Sequence, residues 1–329
     1  CAYKYAAEGA RLVLTSSSAE RLEAVAQRCR QIGAYDVTVI PYDLTHLDDI
    51  ATLVDKAWAA TEGIDIVMLN AGISQRTNVE DTSMDMVRRI MEINYFAPVA
   101  IAKCLLPMMV QRGGGKIAVT TSIAGRFGFP LRCGYSSSKF ALYGFFETLQ
   151  AEYYDRGIRV TIVCPGRVCT NISKYALDKG GKPHGEMDPG QANGMSAYKA
   201  ACIITRAIAR GKREVLVGRK ELLMVYIKRC FPDAAILILG VSDRCVKGEG
   251  GWKSINSVQY MTPFQRRAAQ NEGVAFWEMG KVIMSYGGIR GFVENGWAAG
   301  DHIHINFKGG ARVAKPLADA IIECAYDML

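Results

Sequence analysis

The chain has 329 residues, half of them hydrophobic and 22% charged, a globular profile that excludes intrinsic disorder and fits one large α/β unit or two smaller ones. Its formal charge of +8 lies in short clusters, Arg28/Arg30, Arg88/Arg89, Lys212/Arg213 and Arg266/Arg267, that suit solvated helix faces, so no nucleic-acid partner is expected. Ten cysteines without a C-x-x-C exclude the common zinc and disulfide frameworks; reduced, buried thiols in a cytoplasmic setting and no metal are expected.

Taken in chain order, the sequence opens at Cys1 inside a helix over residues 3–9, with neither initiator methionine nor signal peptide, which reads as a start that is missing. Short apolar runs then alternate with amphipathic stretches. Strands are predicted over residues 11–16, 37–42, 64–70, 116–122, 158–164 and 214–217, and helices over 19–32, 47–61, 84–111, 134–155 and 189–210. This alternation predicts an α/β fold, a doubly wound parallel sheet covered on both faces. No strand and glycine-rich turn precede residue 11, so the first strand, which should sit at the sheet centre, is expected to be missing. An apolar stretch over 221–232 is too interrupted by Lys228 and Arg229 to span a bilayer, but residues 222–227 could touch a membrane surface or a partner. After Pro232 a new strand over 235–241 opens a second segment, with helices over 262–272 and 311–328, and the two parts share no repeat.

Tyr135-Ser-Ser-Ser-Lys139 sets a phenol and an ammonium at i and i+4 on one helix face. Ser122, thirteen residues earlier at a strand end, lies at the carboxyl edge of the sheet, where ligands of such folds bind. A positive Lys139 should lower the cost of ionising Tyr135, which can then exchange a proton with a carbonyl oxygen that Ser122 holds by hydrogen bond. Gly72, in Asn70-Ala71-Gly72 after the strand at 64–70, allows close backbone approach. Asn94 in mid-helix either caps a local break or joins a polar relay to Lys139.

Asn70-Ala71-Gly72, Asn94, Ser122, Tyr135-x-x-x-Lys139 and the run Cys164-Pro165-Gly166-Arg167-Val168-Cys169-Thr170 together resemble the ordered signature of the classical short-chain dehydrogenases/reductases. The resemblance implies a Rossmann-like domain over 1–232 and hydride transfer between NAD(P)(H) and a small hydrophobic alcohol or carbonyl compound. It implies Asn94, Ser122, Tyr135 and Lys139 as the catalytic tetrad. It further implies that Asp43 and Leu44 border the adenine, Asn70, Ala71 and Gly72 the adenosine, Lys139 the nicotinamide ribose, and Pro165, Gly166, Val168 and Thr170 the nicotinamide end. Ser16-Ser17-Ser18 carries neither the Arg that favours NADP nor the Asp that favours NAD, so either form stays open. The T-G-x-x-x-G-x-G turn of the family is absent, which implies a truncated domain with weak turnover. The family likeness also implies a homodimer through the helices over 84–111 and 134–155, and the segment 221–232 is similar to the tail of a membrane-associated subgroup.

In the remaining segment, 233–329, Asp301-x-x-His304 can form the orienting half of a nucleophilic triad. With Asn306-x-x-Gly309-Gly310 after it, the segment resembles the last block of SGNH/GDSL-type esterases acting on acylated carbohydrates, without that family's nucleophile block. That implies a smaller α/β segment resembling part of an SGNH hydrolase. A chimera joined near 231–234 follows from the two resemblances.

Overall fold

The computed structural model describes residues 1–230 and, beyond them, 238–239, 245–248, 251–254, 276–277, 279–286, 288–298, 312–313 and 315–316. The chain divides into two compact units, Cys1–Tyr226 and Ile227–Leu329.

In the first unit, helix α1 (Ala2–Ala6) leads to strand β1 (Arg11–Ser16), helix α2 (Ala19–Ile32) and strand β2 (Asp36–Pro41). Ser18 starts α2 by accepting a hydrogen bond from the Arg21 N–H, and Gly33, at φ 122°, ends it. Leu22, Ala26 and Cys29 recur at helical spacing and are buried, the last two with Ala6 and Val37. Helix α3 (Ile50–Thr61) and strand β3 (Ile66–Leu69) follow. Helix α4 (Met84–Met91) runs through a π-helical turn, Glu92–Phe96, into α5 (Ala97–Gln111). Strand β4 (Gly115–Thr120), a 3-10 turn at Ile123–Gly125, helix α6 (Cys133–Tyr153) and strand β5 (Ile158–Pro165) come next. Then follow β6 (Val168–Cys169), α7 (Pro189–Ala192), β7 (Met195–Ser196), α8 (Ala197–Ala209), β8 (Glu214–Val217) and α9 (Leu223–Cys230), on which Leu223 and Tyr226 are exposed.

Strands β3, β4, β5 and β8 form a four-stranded parallel sheet in that order. On one face Ile117, Val119, Val160 and Ile162 pack with Leu105 and Met109 of α5 and Leu142, Phe146 and Leu149 of α6. On the other, Ala118, Val163 and Val217 pack with Ile204 and Ile208 of α8. Apolar residues on both faces of β4 and β5 are what a doubly wound sheet requires. Strands β1 and β2 pair only with each other, so among the described residues β1 and β3 are not hydrogen-bonded neighbours.

One predicted helix is not continuous. Residues 189–210 are split because the Met195 N–H turns away to the Arg167 carbonyl at 2.8 Å, pairing β7 with β6, and Ser196 then caps α8 through the Lys199 N–H. Strand β4 also stops short of the expected residue 122, at Thr120.

In the second unit a hairpin pairs Cys245–Gly248 with Gly251–Ser254, and Ile238–Leu239 pairs in parallel with Phe276–Trp277. Helices Met279–Ser285 and Gly288–Glu294 bury Ile283, Ile289 and Phe292 with Ala298 and Val313. The expected helix over 262–272, most of that over 311–328 and the expected join at 231–234 lie outside the described residues.

Candidate active site

The side chains singled out in the first unit meet at the carboxyl ends of β3, β4 and β5. Asn94 sits inside the π-helical turn, fully buried. A π turn releases backbone geometry from the α ladder and lets one side chain point where a regular helix would not. Its Oδ1 accepts from the Ile73 N–H at 2.8 Å, and its Nδ2 donates to the Ile73 carbonyl at 2.9 Å and to Ser138 Oγ at 3.0 Å. Of the two readings open for Asn94, a local break is therefore observed, and the amide ties that break to the loop after β3.

Ser122 lies two residues past the end of β4, in extended backbone, and its Oγ starts the 3-10 turn by accepting from the Ala124 N–H at 3.1 Å. The phenol of Tyr135 faces the Ser122 side chain, which favours its ionised form. One helical turn on, the ammonium of Lys139 donates to the Thr120 carbonyl at 2.8 Å and stands 5.8 Å from the Tyr135 ring centroid. A Cβ on Gly72 would lie 3.2 Å from Asn94 Oδ1 and 3.3 Å from Lys139 Nζ, so a glycine there keeps the loop against both. Thr120 Oγ1 donates to Asn70 Oδ1 at 3.0 Å, linking the ends of β3 and β4.

Electrostatics depart from expectation at one point. Burial pushes the Tyr135 phenol above its ordinary value; the Ser122 side chain and the charges of Arg132 and Arg76 pull the other way without prevailing. Among the charges that favour ionisation of this phenol are the two guanidiniums, while the Lys139 ammonium is itself pushed down to about 8 by desolvation. Tyr135 is accordingly protonated near neutral pH, the form a proton donor needs.

The residues expected around the nucleotide are spread along the same edge. Asp43 and Leu44 follow β2; Asp43 is exposed, and hydrogen bonds from the Thr45 N–H and Oγ1 lower its carboxyl. Ala71 is exposed and Gly72 half-buried. Pro165 ends β5, the Gly166 N–H donates to the Val217 carbonyl at 2.8 Å, and Val168 lies in β6. Gln191 donates to the Val168 carbonyl and, at 3.4 Å, to Thr170 Oγ1.

Several residues of this site carried no signal in the sequence. Gln75, fully buried, accepts the Tyr135 N–H on Oε1 at 3.2 Å. Arg76 and Arg132 both bind Asp188, at 2.5 and 3.1 Å, and so tie the loop ahead of α7 to the loops before α4 and α6. Glu221 accepts the Arg167 N–H at 2.8 Å beside Gly166. All are loop or helix-end polar residues that a sequence reading assigns to solvent. Asp301 and His304 lie outside the described residues.

A family model described as short chain dehydrogenase matches residues 1–180. A mouse protein, dehydrogenase/reductase SDR family member 7B, is 37% identical over 243 residues, covering 73% of this chain and 75% of its own. Two solved structures share the fold. A short chain dehydrogenase/reductase from Burkholderia phymatum in complex with NAD has a TM-score of 0.62 at 22% identity, over 69% of this chain and 88% of its own. An alcohol dehydrogenase from Thermococcus sibiricus complexed with 5-hydroxy-NADP has a TM-score of 0.57 at 24% identity, over 67% and 90%.

Proposed function

The chain belongs to the short-chain dehydrogenase/reductase family, and from that premise we propose that it is an NAD(P)-dependent oxidoreductase interconverting an alcohol and a ketone or aldehyde at Ser122, Tyr135, Lys139 and Asn94. The observation that carries the reading is the convergence of the Tyr135 phenol, the Ser122 side chain that acts on it and the buried Lys139 ammonium one helical turn away.

The residues present fit a nicotinamide nucleotide. Lys139 is 3% exposed and, among the described residues, donates to Thr120, whereas an ammonium offers three donors. Its remaining N–H groups, beside the Gly72 backbone, suit the hydroxyls of a ribose. Pro165, Gly166, Val168 and Thr170 would flank the nicotinamide, Asn70, Ala71 and Gly72 the adenosine, and Asp43 with Leu44 the adenine. When bound, the nucleotide supplies or accepts the hydride. Ser122 holds the substrate oxygen by hydrogen bond, Tyr135 gives that oxygen its proton in reduction, and Lys139 with Asn94 keeps the polar floor in place. Tyr135→Phe removes the proton donor and leaves the nucleotide contacts. Turnover of small hydrophobic ketones, followed by nicotinamide absorbance, should fall by at least about a hundredfold while nucleotide binding, followed by fluorescence, persists. Undiminished turnover in that variant would refute the assignment.

The subunit arrangement proposed is a homodimer through α5 and α6. Their outer face holds a cavity of about 590 Å³ lined by Leu106, Pro107, Val110, Phe145, Leu149 and Tyr153, an apolar surface suited to a second copy. Sedimentation should give twice the chain mass, reduced to one by Phe145→Glu; a monomeric wild type would remove this reading. The alternative, an acyl-ester hydrolase on Asp301 and His304, has no observation in its favour.

A further inference from the structure

Helix α6 presents Tyr135 in its first turn, where backbone N–H groups have no partner within the helix. Its N-cap, Arg132, supplies no side-chain cap. The Tyr135 N–H is met instead from 60 residues away in sequence, by Gln75 Oε1 at 3.2 Å. Gln75 has no exposed surface, and its Nε2 faces Thr77 Oγ1 and Thr82 Oγ1, each at 3.0 Å, and Cys133 Sγ at 3.2 Å. Both ends of this amide are therefore committed, one to the catalytic helix and one to the loop before α4. Gly134 leaves room for it, since a Cβ there would lie 2.8 Å from Gln75 Oε1.

The amide contact of Gln75 has a counterpart one residue past the β3 loop's glycine. Asn94 holds the backbone of Ile73 from the π-helical turn, and Gln75, two residues on, holds the backbone of Tyr135. The segment between Gly72 and Gln75 is thus a strut pinned at each end by a buried amide. What it spaces is the π-helical turn from the first turn of α6. A helix free to slide along its axis would carry the Tyr135 hydroxyl away from Ser122, which stands on a different element.

We infer that Gln75 is a positioning residue: its side-chain oxygen sets the axial register of α6 and so keeps the Tyr135 hydroxyl beside Ser122. The inference rests on Tyr135 being the proton donor. A cap that contributed only stability would act on folding and not on the phenol, and displacement of a reacting group by about 1 Å can lower turnover by roughly a hundredfold.

The test uses the full chain with tyrosine labelled at the ring Cζ and backbone nitrogen, the Tyr135 signals being assigned by their loss in Tyr135→Phe. Gln75→Met keeps the side-chain length and removes the acceptor; Gln75→Glu keeps an acceptor. Thr82→Val perturbs the same network without touching the Tyr135 N–H. Gln75→Met should speed Tyr135 amide exchange by about tenfold or more, a loss of about one hydrogen bond, and should move the Cζ signal toward its position in Ser122→Ala. It should also lower kcat for carbonyl reduction by roughly ten- to a hundredfold with the KM for nucleotide unchanged. Gln75→Glu should restore the amide protection and the Cζ signal, and Thr82→Val should lower the Tm without moving either. If Gln75→Met leaves the Tyr135 signals and kcat as they were, or if Thr82→Val moves them equally, the inference is overturned. Should Gln75→Met not fold, Gln75→Asn, too short to reach Tyr135, replaces it against Gln75→Glu, with the same readings deciding. A wild type that reduces no carbonyl compound would count against the oxidoreductase reading alone, because the labelled-tyrosine signals still decide the register.

Discussion

Lys139 is 3% exposed, donates a hydrogen bond at 2.8 Å to Thr120, and its ammonium is brought from an ordinary value of 10.5 to about 8 by desolvation. Between those values the unfolded chain is protonated there and the folded one is not, so unfolding takes up a proton and stability rises with pH through that window. Below about 8 the charge is retained in the fold at a cost of order 3 kcal/mol, taking about 1.4 kcal/mol for each pH unit. Its hydrogen bond to Thr120, from a charged donor, returns about 1.5–3 kcal/mol, and the ammonium is still lowered. Desolvation wins, so Lys139→Met should raise the Tm by a few degrees near neutral pH while removing turnover, as thermal unfolding and nicotinamide absorbance would show. An unchanged or lower Tm would count against the charge being a burden on the fold. In the wild type, reduction should decline as pH rises through about 8, where Lys139 loses its proton while Tyr135, held above its ordinary value, keeps its own.

Elements bring these side chains together by close backbone approach. At Gly125, in the 3-10 turn after Ser122, a Cβ would lie 2.7 Å from the Lys139 carbonyl oxygen and 2.9 Å from its carbon. Both are backbone atoms of α6 and cannot rotate aside. Gly125→Ala should therefore destabilise by roughly 1–3 kcal/mol and lower kcat with it, because the turn carrying Ser122 must move off the helix carrying Tyr135; a denaturant midpoint equal to wild type would exclude this. The sequence made the alternation of strands and helices legible, since β4 and β5 are apolar on both faces and α2 carries its buried residues at helical spacing. Ser122, Tyr135 and Lys139 stood out by their spacing at a strand end and on one helix face, and Asn94 joined them only through the ordered family signature. Gln75, Arg76 and Asp188 did not stand out, because their partners lie 60, 112 and 56 residues away and nothing local distinguishes them from solvated loop residues. The break in 189–210 did leave a trace, in Gly190 and Gly194, which the helical period of the flanking residues outweighed. The π-helical turn left one trace, Asn94, a poor helix former in mid-helix, which by itself does not tell a π turn from any other local break.

In the first unit, the parallel pair β1-β2 and the four-stranded parallel sheet β3-β4-β5-β8 are unequally buried. Residues 117–119 of β4 and most of β5 are buried, whereas β1 has no buried residue and β2 has one, Val37. Amide exchange should follow that division, with the N–H groups of β1 and β2 opening at lower free energy than those of β4 and β5. Equal protection in both sheets would mean that they unfold as a unit. The long helix through Met84–Gln111 shows how one element can serve two interiors. Its first part buries Met86 and Ile90 with Leu177, and its second buries Ala97, Leu105 and Met109 in the main core. An inserted residue rotates everything downstream of it by about 100° relative to a regular α-helix. The five residues Glu92–Phe96 are therefore a phase corrector. Deleting any one of them would restore an unbroken spiral, yet it would aim one half of the helix's apolar stripe at the wrong neighbour, so that helical content could rise while the protein loses its shape.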